Sequence, residues 1–335
     1  MKRLFPIFLF ITALLSPCCA QTVPSEALQQ AMQRDETAFL QSMSPTLQHT
    51  QALAVRMAIQ GDVRALQQIR ERRNVAPTLP EGVKAVTLTP TMTLFRSTQP
   101  TSKPRPVLLY LHGGGWCFGS INSCMRFCAA VAKRANICVV ALNYRLAPEH
   151  AYPAPIDDCR MAFNYLKGHA AEFGGDTTRV SIGGDSAGGN LAIATAMTVG
   201  GKSSVYSLIP IYPVTELFTR STPSWRTYAQ GYGDDAELLE AFNEAYAAGQ
   251  QQSPLVSVGL ATDETLQQLP PVLLISAGHD ILFDQTAAWA KRLQSLDHPL
   301  SYHVFPTATH LFITVPGQPT AFNESVRIVS EFLKE

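Results

Sequence analysis

The sequence predicts an α/β fold, a mostly parallel sheet with helices on both faces and a helical cap. Short apolar runs recur at 107–111, 137–142, 180–183, 206–211, 272–276 and 302–305, most of them separated by amphipathic stretches. That alternation is the pattern of parallel strands joined by crossover helices. Two glycine-rich turns, at 113–115 and 183–189, follow two of these runs, and such sheets bind ligands at the carboxyl ends of their strands. The composition, 46% hydrophobic and 16% charged over 335 residues, is that of a globular core filling one large domain or two small ones.

From the start of the chain, residues 1–20 read as a secretory signal peptide: Lys2 and Arg3, an apolar run over 4–15, then small residues ending at Ala20. The apolar run is too short to span a bilayer and contains Pro6, so a secreted or periplasmic protein is expected. Cys18 and Cys19 raise lipid anchoring as an alternative, against which Pro17 stands where a small residue is normally wanted. Residues 21–82 read as an N-terminal helical cap region: three short Gln-rich helices broken at Pro45 and at Gly61-Asp62, then a two-proline loop over 74–82. A strand begins near Val83, and residues 83–335 are expected to form the sheet-bearing domain. The stretch 213–269 breaks the alternation, being long, aromatic and poor in strand pattern. It carries Trp225, Tyr228, Tyr232 and a helix around 236–248, and a cap insertion is expected at about 213–252.

With 26 basic and 26 acidic residues the net charge is zero, which leaves no electrostatic footprint for nucleic acid or for an anionic membrane. The expected partner is a small, roughly neutral molecule. Beyond residue 20 the cysteines are Cys117, Cys124, Cys128, Cys138 and Cys159. Their odd number and their apolar settings favour buried thiols over a disulfide framework. Neither a CxxC pair nor a spaced His/Cys cluster is present, so no metal and no cofactor are expected.

The turn at 183–189 does not cradle phosphate. A dinucleotide fingerprint needs glycines at i, i+2 and i+5, and a P-loop needs a lysine, neither of which is there. It does fit G-x-S-x-G, as Gly184-Asp185-Ser186-Ala187-Gly188, a turn that exposes a serine hydroxyl between a strand and a helix. A serine needs a base, and the base needs an orienting acid. Among the late histidines, His303 falls inside a strand-like run and His298 in the turn before it, whereas His310 follows that strand on the same rim as Ser186. Asp280 directly follows the run 272–276. Asp284 falls in a first helical turn, where it complements the helix dipole, and His279 reads as a loop residue. Ser186, His310 and Asp280 are therefore the expected catalytic residues. The run 107–111 ends in His112-Gly113-Gly114-Gly115-Trp116, where missing side chains let backbone N–H groups approach a substrate oxyanion. The amides of Gly113, Gly114 and Ala187 are the expected donors. Trp116, Phe118, Trp225 and Phe312 are candidates to line the substrate pocket.

These stretches resemble the hormone-sensitive-lipase-like esterases of the α/β-hydrolase superfamily. The resemblance rests on His112-Gly113-Gly114-Gly115-Trp116, Gly184-Asp185-Ser186-Ala187-Gly188-Gly189, Tyr144-Arg145-Leu146-Ala147-Pro148-Glu149-His150, Ser253-Pro254-Leu255, Ser276-Ala277-Gly278-His279-Asp280 and His310-Leu311-Phe312. It implies an eight-stranded sheet, a cap from the N-terminal helices and the insertion after Ile211, and hydrolysis of short- to medium-chain acyl esters by Ser186, Asp280 and His310. Leu311 stands where the family often has glycine, Ile281 where it often has proline, and Cys117 replaces an aliphatic residue, so pocket shape is open. The alternatives are a deacetylase acting on acetylated carbohydrates or amides, and a non-catalytic ligand-binding protein of the same fold. The segment 144–155 is expected to be structural.

Overall fold

The computed structural model describes residues 21–44 and 46–334; the expected signal segment lies outside the described residues. Eight strands form one sheet: β1 (Val83–Thr89), β2 (Met92–Ser97), β3 (Arg105–Leu111), β4 (Cys138–Leu142), β5 (Gly175–Asp185), β6 (Leu208–Ile211), β7 (Val272–His279) and β8 (Leu300–Thr309). Their order is β1-β2-β4-β3-β5-β6-β7-β8. β2 runs antiparallel to β1 and β4, and the remaining pairs are parallel. β2 is the strand that the apolar runs do not reveal. Its residues are buried except for the half-exposed Thr93 and Arg96, and a two-residue turn at Pro90-Thr91 links it to β1.

Between and around the strands the helices are α1 (Glu26–Ser42), α2 (Leu47–Ile59), α3 (Arg64–Arg73), α4 (Ile121–Ala135), α5 (Ala154–His169), α6 (Ala187–Thr198), α7 (Pro223–Thr227), α8 (Ala236–Ala247), α9 (Asp263–Gln267), α10 (Phe283–Ser295) and α11 (Pro319–Phe332). Side chains alternate across the strands, so Val107, Leu109 and Leu111 pack with α5, α6 and α10, while Leu108 and Tyr110 pack with α4 and α11 on the other face. The sheet is thus covered on both sides, which keeps its parallel centre dry.

The three N-terminal helices break where the sequence predicts; α2 and α3 pack on each other, while α1 docks elsewhere. Helix α1 packs on β8 and α11, at the edge of the sheet. Helix α2 packs on α8 of the insertion, tied by Gln48 Nε2 donating to the Gly233 carbonyl and by His49 Nδ1 at 2.8 Å from Glu237 Oε2. Helix α3 reaches the oxyanion side of the sheet through Arg70, whose guanidinium donates to the carbonyls of Cys117 and Ala147, each at 2.7 Å, and pairs with Glu149. All five described cysteines are buried free thiols. No helix among the described residues is long and apolar enough to cross a membrane.

Candidate active site

Ser186 sits between β5 and α6 with φ 54° and ψ −121°, a backbone region that a residue with a side chain occupies only under strain. Packing enforces it. The Ser186 N–H donates to Ile211 O at 2.9 Å and its carbonyl accepts from Asn190 N at 3.0 Å. Helix α6 is built largely of small and apolar residues and is almost wholly buried, as a helix without a polar face must be. The glycines flanking Ser186 allow close approach. A Cβ on Gly184 would lie 2.5 Å from the Leu111 carbonyl oxygen, and one on Gly188 would overlap that same oxygen. The serine turn is thereby pressed against the end of β3, next to the 112–115 turn.

Ala ordinarily favours a helix over Gly by about 1 kcal/mol, yet Gly188→Ala is expected to destabilise this protein by ~1–3 kcal/mol, because a backbone carbonyl cannot yield as a side chain can. Thermal unfolding measures it; an unchanged or raised Tm would contradict the contact.

β7 and β8 are parallel neighbours, so the residues just beyond their carboxyl ends are close in space. These are Asp280 and His310. His310 Nδ1 lies 2.6 Å from Asp280 Oδ2, and both side chains are 1% exposed. Asp280 Oδ1 accepts from Leu282 N at 2.9 Å, and Gln318 Nε2 donates to the His310 carbonyl at 3.1 Å, so both residues are held from behind. Burial by itself would lower the His310 pKa, but the carboxylates of Asp280, Asp234 and Asp185 outweigh it and raise the group to about 9. Nε2 has no hydrogen-bond partner among the described residues; Asp234 Oδ2 stands 3.4 Å away, near enough to attract it but not aligned to bond. The rival residues have other partners. His298 Nε2 meets Pro270 O at 3.0 Å, His303 lies within β8 beside Ser301, and His279 Nδ1 lies 2.5 Å from Glu36 Oε1 of α1. Asp284 accepts from Ser224 N at 2.7 Å, anchoring α7 to α10.

The expected set of oxyanion donors needs one correction. The Gly113 N–H donates to Asp185 Oδ1 at 3.1 Å, and Tyr110 Oη donates to the same oxygen at 2.9 Å. That amide is engaged before any substrate arrives. The next two amides of the turn, Gly114 and Gly115, have no acceptor among the described residues, and Ala187 opens α6, whose first N–H groups lack intrahelical partners. The donor trio available is therefore Gly114, Gly115 and Ala187. Burial raises the Asp185 pKa to about 6 against the opposing bonds from Tyr110 and Gly113. Asp185 occupies a variable position of the G-x-S-x-G pattern, so the motif gave no sign of this tie. The 144–155 segment supports the same turn: Tyr144 Oη donates to His112 O at 2.7 Å and its ring stacks on His112, centroids 4.3 Å apart.

Ser186 opens into a cavity of about 470 Å³, lined also by Gly114, Phe118, Asp185, Leu238, Phe242, Leu311, Phe39, Met43, Gln48, Arg73 and Asp234. That volume suits a small ligand. Of the four aromatic candidates only Phe118 lines it. Trp116 stacks on Tyr246 at 4.2 Å, Phe312 packs edge-on to Tyr212 at 4.7 Å, and Trp225 is buried in α7; all three contribute to the core. Large rings pack wherever apolar area is greatest, and composition does not say on which side of the wall. Sequence reasoning missed Arg73, Gln48 and Asp234. In Gly233-Asp234-Asp235 the second aspartate is the N-cap of α8, and a pair of acids before a helix reads as capping alone.

A sequence model described as the alpha/beta hydrolase fold matches residues 108–314. The chain belongs to the α/β-hydrolase fold family. Its relatives are carboxylesterases and esterases. This α/β-hydrolase is 36% identical over 214 residues to the carboxylesterase NlhH of Mycobacterium tuberculosis, a match covering 62% of this chain and 66% of that one. It is 33% identical over 233 residues to an ethyl acetate hydrolase of Pseudomonas putida, covering 68% and 72% respectively. Among solved structures, an α/β-hydrolase enzyme from the metagenome of Lake Arreo superposes with a TM-score of 0.69 at 26% identity, over 92% of this chain and 98% of the other. The resemblance to hormone-sensitive-lipase-like esterases read from the motifs agrees with these relatives.

Proposed function

We propose that this α/β-hydrolase is a serine carboxylesterase that hydrolyses short- to medium-chain acyl esters, needs no cofactor, and is exported to the periplasm or the medium. The observation that carries the catalytic reading is the buried 2.6 Å contact of His310 Nδ1 with Asp280, which leaves Nε2 without a partner. Asp280 fixes the tautomer that keeps the Nε2 lone pair free. Nε2 takes the Ser186 proton as Oγ attacks the ester carbonyl, and the amides of Gly114, Gly115 and Ala187 receive the oxyanion. The Nε2 proton then passes to the leaving alcohol, giving an acyl-enzyme that water hydrolyses to the acid. The relatives named for ethyl acetate and acetyl ester hydrolysis and the 470 Å³ cavity support short acyl groups. Export rests on Lys2, Arg3 and the apolar run over 4–15.

A series of 4-nitrophenyl esters tests the substrate class: kcat/KM is expected to be highest from acetate to octanoate and to fall for palmitate. A steady rise to palmitate would overturn it. The pH profile tests the base. His310 acts only when neutral, and its pKa is raised to about 9, so kcat/KM should climb by roughly tenfold per pH unit below that value and level off above it. A plateau already reached at about pH 6 would remove His310 from the role.

A further inference from the structure

Asp234 is a carboxylate that the mechanism above does not use. Its side chain is 9% exposed, it lines the cavity with Ser186, and no hydrogen-bond donor among the described residues reaches it; its nearest charged neighbour is His310 Nε2, 3.4 Å from Oδ2. A buried carboxylate without a donor is costly, so its place in the wall calls for a donor brought from outside. Gln48 repeats the pattern. Its Nε2 is engaged by the Gly233 carbonyl, while its Oε1 is buried, unpartnered and part of the same lining. Two residues with acceptors that lack donors thus line one cavity.

Their position says which part of the substrate they meet. Nε2 returns its proton to the leaving oxygen, so a group 3.4 Å from Nε2 flanks the alcohol side of the ester and not the acyl side. A hydroxyl on the carbon next to the ester-bearing carbon can close a ring of contacts, from Nε2 to the leaving oxygen, across to the neighbouring hydroxyl, and on to Asp234. The donor is a neutral one, because the Arg73 guanidinium lines the same cavity, lies over the Phe118 ring at 5.2 Å and would repel an ammonium group. Resting on the esterase reading, we infer that Asp234, with Gln48, selects esters whose alcohol carries a free vicinal hydroxyl: partly acylated polyols and sugars. The balance of the reaction is that of any ester hydrolysis, with the second hydroxyl donating to Asp234 throughout and never losing its proton.

The test compares 2-hydroxyethyl acetate with 2-methoxyethyl acetate, which keeps the oxygen but has a methyl group in place of the donor hydrogen; the Asp234 variants separate the lost donor from the added methyl, which they leave unchanged. For the wild-type protein the kcat/KM ratio is expected to favour the hydroxyl ester by roughly tenfold or more. In Asp234→Ala that ratio should fall to about one, and Asp234→Asn, which keeps the volume and one acceptor, should fall between. A ratio unchanged in Asp234→Ala would overturn the assignment, as would a wild-type protein that does not distinguish the two. A carboxylate acting only through the charge of His310 would alter both rates in proportion and leave the ratio intact, which also counts against it. The 4-nitrophenyl acetate rate and the Ser186→Ala control report separately on the esterase reading, since failure there abolishes turnover of every ester regardless of the ratio.

Discussion

Ser186→Ala is expected to lower kcat toward 4-nitrophenyl acetate by ~10⁴ to 10⁶ while leaving the fold in place. The rate effect follows from removing the hydroxyl that the proposed mechanism acylates. The fold is expected to survive because the elbow is held by backbone: Ser186 N on Ile211 O, Asn190 N on Ser186 O, and the glycines at 184 and 188 against Leu111. Alanine meets the same strain at φ 54° that serine does, so Tm should change little. The measurement is steady-state hydrolysis of protein purified from a host lacking background esterase, beside a thermal melt. Residual activity within about a hundredfold of wild type would show that another group is the nucleophile.

Asp280→Asn is expected to cost about 10⁴ in kcat. An amide in place of the carboxylate can present N–H to His310 Nδ1, which places the imidazole proton on Nε2, the nitrogen that must be bare to accept one from Ser186. It also removes the carboxylate nearest His310 among those that hold its pKa near 9, so the residual activity should titrate at lower pH than in the wild type. Loss of rate and an acid-shifted limb together separate an orienting carboxylate from one that merely packs. A rate unchanged within tenfold, or a limb that stays in place, would assign the histidine to a different acid; Asp234 is then the nearest one.

The meeting of Asp280 and His310 was legible because strand ends are legible. A polar residue a few positions past an apolar run at 272–276 or 302–305 sits on the rim by geometry, and neighbouring parallel strands bring two such residues together without further information. Glycine marks close approach just as directly, at 184 and 188. What stayed hidden depends on residues distant in the chain. The Gly113 amide is engaged by a side chain at the end of β5, Asp185, and no feature of the 112–116 turn reveals that. Strand β2 hides because the polar Thr93 and Arg96 interrupt its buried apolar residues before a run can form. The aromatic candidates divided between cavity and core because hydrophobicity is the same on both sides of a wall.

The N-terminal helices make almost all their anchoring bonds with parts of the chain that come far later. Arg70 reaches Cys117, Ala147 and Glu149; Gln48 reaches Gly233; Glu36 reaches His279; Asp35 accepts from Thr320 N. During synthesis these helices emerge before the segments they dock on. Helix α3 needs only residues up to Glu149 and α2 those up to α8, whereas α1 cannot dock until β7, β8 and α11 exist. Because α1, α2 and α3 supply Phe39, Gln48 and Arg73 to the cavity wall, the cavity beside Ser186 is complete only once all three have docked. The chain can thus hold its sheet before it holds a pocket, and a loosened N-terminal helix would open the cavity while leaving the Asp280–His310 contact in place.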